Sequence, residues 1–129
     1  MAWLKGQEPA AGRVRTLLEA AGQRENKLLM NIVNLGEVFY LSVKAKDLAY
    51  GERILQNLRA RVHIIPAPDG LVLAAAALKA RHTISYADAF AAATAMDREA
   101  LLVTGDPELR TMAARENRLT LEWIGAAGI

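Results

Sequence analysis

The chain has 129 residues, 53% hydrophobic and 23% charged, with a net charge of +2. That length predicts one domain, residues 1–129, with room for a real core, and that charge is too small to announce a nucleic-acid partner by itself. There is no cysteine, which excludes disulfides, thiolate metal sites and thiol catalysis, and no run of 18 apolar residues to span a membrane. Nothing at the N-terminus reads as a signal peptide, so the expected location is the cytoplasm. Alanine inflates the hydrophobic fraction: 25 Ala and 18 Leu stand against 7 aromatic residues, a mix that favours closely packed helices. The charge is uneven, +4 over residues 1–65 and −2 over residues 66–129.

Trp3 to Lys5 reads as a short helix stopped at Gly6, and Pro9 suits the first position of the next helix. Val14, Leu17, Leu18 and Ala21 recur at i, i+3, i+4 and i+7, which predicts an amphipathic helix ended by Gly22. Leu28 to Met30 predicts a buried strand, and Asn31 the N-cap of a helix whose face carries Ile32, Leu35, Phe39 and Val43. After a break near Asp47, a further helix turns Ile54, Leu55 and Leu58 inward. Val62 to Ile65 predicts a strand closed by Pro66 and Pro68, and residues 69–80 a helix built on Leu71, Ala74, Ala75 and Leu78. Ser85 starts another helix that runs through Phe90 to about Met96. Leu101 to Val103 predicts a third strand, and Asp106-Pro107 opens a helix with Leu109, Met112 and Ala113. Leu119 to Ile124 predicts a last strand before a loose Gly-Ala tail. Short, uniformly apolar strands alternating with helices predict an α/β fold with a parallel sheet.

Open parallel sheets bind ligands beyond the carboxyl ends of their strands. Three segments at or near such ends carry acids. In the first, Asn34 and Glu37 are three apart and share a helix face near its N-terminus. Gly36, a poor helix former, marks an expected close approach. In the second, Ser85-Tyr86-Ala87-Asp88 is close to a capping box. In the third, Thr104-Gly105-Asp106-Pro107-Glu108 combines an Asp N-cap with Pro at the first helical position. Each has a plain structural reading, as a solvated Glu or as a cap. Together they predict carboxylates gathered at one sheet edge, which would repel one another without a cation. Oxygen-only acidic sites suit Mg²⁺ or Mn²⁺, ions that activate water in phosphodiester hydrolysis.

The segments Asn34-Leu35-Gly36-Glu37, Ile84-Ser85-Tyr86-Ala87-Asp88-Ala89-Phe90 and Thr104-Gly105-Asp106-Pro107-Glu108 closely resemble, in order, the acidic motifs of the PIN-domain ribonucleases. Within that family they resemble the VapC-like toxins of type II toxin–antitoxin pairs. The resemblance implies a three-layer α/β/α fold around a central, mainly parallel sheet. It also implies a Mg²⁺- or Mn²⁺-dependent endoribonuclease acting on RNA, a homodimer, and a cognate antitoxin that occupies the active-site groove. By this resemblance Glu37, Asp88 and Asp106 are the catalytic, metal-binding carboxylates, with Asn34 and Thr104 in support. The family opens with a central strand ending in another Asp. Here Met1 to Gly6 resembles the short helix that follows that strand, and the first Asp is Asp47. The expectation is therefore a shortened chain lacking the first strand and its carboxylate, with weak or absent nuclease activity and poor stability. The alternative is a catalytically impaired module that dimerises and binds an antitoxin without cleaving RNA. A phosphatase or receiver-like domain is a weaker third reading, since it too wants an Asp at the end of the first strand.

Lys79, Arg81 and His82 precede the Asp88 segment and are candidate RNA-phosphate contacts, although a basic helix C-terminus also complements the helix dipole. Lys44, Lys46, Arg53, Arg59 and Arg61 are expected to form either an RNA- or antitoxin-facing surface or a solvated helix face. His63 reads as structural, and Trp3 and Trp123 as core or interface anchors. No Ser or His nucleophile and no glycine-rich phosphate loop stands out.

Overall fold

The structure, a computed structural model, describes residues 28–104 and 106–124. The helices expected at Trp3 to Lys5 and from Pro9 to Ala21, and the Gly-Ala tail, lie outside the described residues. The chain divides into two compact units, residues 1–66 and 67–129.

The first unit contains β1 (Leu29–Asn31), α1 (Ile32–Ala45), α2 (Leu48–Arg61) and β2 (His63–Ile65). β1 and β2 pair in parallel, Leu29 opposite His63 and Asn31 opposite Ile65. Asn31 ends the strand and starts the helix: its side chain accepts from the Val33 amide at 2.9 Å and donates to the Pro66 carbonyl at 3.4 Å. It is 1% exposed, so its amide group meets partners rather than water. Asp47 caps α2, its Oδ1 accepting from the Tyr50 amide at 2.8 Å. Leu35, Val38, Leu58 and Val62 form the core, with Met30, Ile54, Leu55 and Ile64 packed around them. The helical spacing of 35 and 38, and of 54, 55 and 58, therefore marks the buried faces.

Close approach of α1 and α2 centres on Gly51, not Gly36. A Cβ at Gly51 would collide with Val43 Cγ2 and stand 3.3 Å from Phe39 Cε1. A Cβ at Gly36 would meet no described atom within 4 Å, so the expected close packing is not found among the described residues. The reason is rotational: Gly36 lies on the exposed side of α1, whereas Gly51 is buried.

The second unit contains α3 (Asp69–Arg81), α4 (Tyr86–Asp97), β3 (Leu101–Thr104), α5 (Pro107–Ala113) and β4 (Thr120–Trp123). Ala75, Ala89, Ala92, Ala93 and Ala95 are all buried, which lets α3 and α4 pack closely. α4 ends in a Schellman motif, with Ala100 N–H on the Ala95 carbonyl and Glu99 N–H on the Met96 carbonyl. Glu99 holds the left-handed position at φ 52°, usually a glycine's place. β3 and β4 pair in parallel, Leu101 opposite Thr120 and Thr104 opposite Trp123. All four strands expected from the sequence are present. Among the described residues they form two two-stranded parallel sheets, one in each unit.

Candidate functional site

β3 carries Thr104 to its C-terminal end, where the residue is 9% exposed. Its carbonyl accepts from the Ile124 amide at 3.0 Å, which ties it to the end of β4. Its Oγ1 accepts from the Asp106 amide at 3.0 Å. Asp106 is the N-cap of α5, its Oδ1 accepting from the Glu108 amide at 2.8 Å, with Pro107 at the first helical position. One carboxylate oxygen is thus committed to the helix, and Oδ2 lies outside that cap. A strand end, a threonine hydroxyl and a helix start together hold one half-buried carboxylate.

Asp88 occupies the first turn of α4 and is half-buried. Its amide donates to Ser85 Oγ at 3.1 Å, so Ser85 is the cap expected of it. α4 packs on β3, and Asp88 and Asp106 belong to the same unit. Glu37 belongs to the first unit. It is half-buried on α1, between Leu35 and Val38, which are 1% and 0% exposed. Asn34 lies one turn earlier on the same face, also half-buried.

Among the described residues, no three of Asp, Glu and His converge as a metal-holding group. The donors on offer are hard oxygens: carboxylates, the Thr104 hydroxyl and an amide. The chain has no cysteine, and its two histidines lie elsewhere, His63 exposed on β2 and His82 bound to Glu116. Mg²⁺ is commonly held by one or two protein carboxylates together with substrate phosphates and water. The donor chemistry therefore fits a hard divalent ion whose shell the substrate completes.

Each of the three side chains expected to meet RNA has a partner within the second unit. Lys79 Nζ donates to the Ile84 carbonyl at 3.0 Å. Arg81 Nη2 and His82 Nε2 both reach Glu116 Oε2, at 3.2 and 2.6 Å. An ionised carboxylate only accepts, so the His82 Nε2 carries the shared proton. Glu116 escaped sequence reasoning because no local pattern links it to residues 34 and 35 positions earlier. This clasp ties the segment after α5 to the end of α3.

The His82 hydrogen bond, aided by Arg81, holds the Glu116 carboxyl below its ordinary value against the opposing effect of burial. A depressed folded-state value gives stability that is present above the unfolded carboxylate range and is lost as pH falls through the folded value. Acid titration followed by circular dichroism should show this loss below about pH 4. Glu116→Gln should flatten the response in that window and cost ~1 kcal/mol at neutral pH. An unchanged acid response in Glu116→Gln would refute the clasp.

Residues 1–115 match the family model described as PIN domain. The fold is similar to the crystal structure of VapBC2 from Rickettsia felis bound to a DNA fragment from their promoter. That match has a TM-score of 0.65 and 21% identity, and covers 94% of this chain and 89% of that one. It is also similar to VapBC-1 from nontypeable Haemophilus influenzae, with a TM-score of 0.59, 18% identity, and 75% and 74% of the two chains covered. None of the curated proteins is similar enough to match.

Proposed function

This chain belongs to the PIN domain family, whose members are generally nucleases that use divalent metals, and on that premise we propose a Mg²⁺- or Mn²⁺-dependent endoribonuclease. In this reading it is the toxin of a toxin–antitoxin pair, homodimeric and cytoplasmic, with an antitoxin as protein partner. Two similar structures whose names are VapBC support the partner. Among the described residues no helix is long and apolar enough to cross a membrane. The family match spans both compact units, which supports reading residues 1–129 as one domain.

The observation that carries the reading is the Thr104–Asp106 turn. Thr104 Oγ1 pins the Asp106 amide while α5 takes only one carboxylate oxygen. Glu37, Asp88 and Asp106 would hold the metal, with Asn34 and Thr104 in support. When bound, the ion would activate water and neutralise charge at the phosphodiester. Asp106 and Asp88 would supply carboxylates to the ion, and the backbone of each is anchored through its own amide. Lys79, Arg81 and His82 would serve RNA only so far as their present partners release them.

A second reading is a non-cleaving PIN module that binds an antitoxin. It is supported by the engagement of Lys79, Arg81 and His82 by partners within their own unit. The test is incubation of this chain with a mixed pool of single-stranded RNA and Mg²⁺ or Mn²⁺, against a chelator control. Metal-dependent fragments support the nuclease. Intact RNA with either ion, from a chain that circular dichroism shows folded, favours the module.

A further inference from the structure

Two groups of cations differ among the described residues. Those at the end of α3 are engaged by Glu116 and by the Ile84 carbonyl, as described above. The described cations of the first unit are arranged differently. Lys44, Lys46, Arg53, Arg59 and Arg61 are exposed, and among the described residues none is ion-paired with a carboxylate.

Two of these, Lys46 and Arg53, lie over one aromatic ring, and Lys44 is two residues before Lys46. Tyr50, in the first turn of α2, is half-buried. Lys46 Nζ lies 4.9 Å from its ring centroid and Arg53 Cζ lies 5.9 Å from it. Residues 44–53 carry Lys44, Lys46 and Arg53 against Asp47 and Glu52, a net charge of +1. Asp47 accepts from the Tyr50 amide through Oδ1, and Glu52 is two residues from Tyr50, a spacing that does not share a helix face. Lys44 follows Glu37 by seven residues, two helical turns, so both lie on one face of α1 about 10 Å apart along its axis.

We propose that Lys44, Lys46, Tyr50 and Arg53 form a binding site for single-stranded RNA, with phosphates on the cations and a base against the Tyr50 ring and the Arg53 plane. The site rests on the ribonuclease reading and adds to it a substrate-holding surface remote in sequence from Asp88 and Asp106. Exposed cations supply sequence-independent affinity for a phosphate chain. An aromatic ring flanked by cations is what single-stranded nucleic acid uses for stacking, and an acidic polypeptide has no need of it.

The test is fluorescence anisotropy of a labelled, mixed-sequence single-stranded RNA with the full chain carrying Asp106→Asn, in chelator, so that the RNA stays intact. Lys46→Ala/Arg53→Ala should weaken binding at least about tenfold and reduce the slope of log K against log salt by about 1.4. Tyr50→Leu should weaken it about tenfold, and Tyr50→Phe should stay within about twofold. The charge-matched control Arg98→Ala/Arg115→Ala should have a much smaller effect. Equal losses in control and test doubles would overturn the site, as would failure of the parent to bind RNA. So would loss of RNA to a polyglutamate competitor combined with no effect of Tyr50→Leu, which would assign the surface to an acidic protein. The nuclease reading fails separately: the unsubstituted chain would bind RNA through this cluster and leave it uncut with Mg²⁺ and Mn²⁺.

Discussion

Replacing Asp106 by Asn is expected to lower metal-dependent RNA cleavage by on the order of 10²–10³-fold while leaving the thermal midpoint nearly unchanged. The substitution separates two duties that one side chain performs. Asp106 caps α5 through Oδ1 and, in the proposed function, offers negative charge to a cation. Asn caps a helix about as well as Asp, so the cap and the Thr104 hydrogen bond to the 106 amide survive. What is lost is the charge. Asp106→Ala removes both duties and should add a stability cost of about 1 kcal/mol. Asp88→Asn should behave as Asp106→Asn does, because the Ser85 cap engages the residue 88 backbone, which the substitution leaves in place. The measurement is initial cleavage rate beside a thermal melt for each variant. Full activity in both Asn variants would remove these carboxylates from the site.

Leu35→Ala is expected to cost about 2–5 kcal/mol. Leu35 is 1% exposed and belongs to the cluster with Val38, Leu58 and Val62. Truncation removes the transfer energy of the lost methyl groups and leaves a cavity that α1 and α2 can close only by shifting. That shift is opposed at Gly51, where Val43 and Phe39 already lie against the backbone. Leu73→Ala is the matched control: its side chain is 69% exposed, so the expected change is within about 0.5 kcal/mol. Urea melts of the two variants decide the matter, and equal midpoints would contradict the core assigned here. Glu37 lies between Leu35 and Val38 on α1, so Leu35→Ala should also lower activity, but only in proportion to the folded fraction.

Much of the local structure was legible because each element carries its own start signal. Asn31, Asp47, Ser85 and Asp106 are all side-chain N-caps, and the sequence marks three of them outright as Asn, Ser and Asp-Pro. Boundary differences are small and have local causes. Val62 closes α2 before β2 begins, its amide still bonded to the Leu58 carbonyl. The end of α4 carries no glycine, since Glu99 takes the left-handed turn that a glycine would have announced. Gly36 and Gly51 look alike in sequence, both inside helices, and only the rotation of each about its helix tells which one faces a neighbour.

The sequence by itself determined the order of strands and helices, the family and the candidate acids. Caps, apolar spacing and motif order are properties of short segments, and short segments are what a sequence displays. Tertiary structure alone decided which cations are engaged and which are not. Glu116 takes Arg81 and His82 across more than 30 residues, while Lys46 and Arg53 gather on Tyr50 unpaired with any described acid. Ion pairing depends on distance in space and falls off over a few ångströms, so residues far apart in the chain reveal it only once folding has set them side by side.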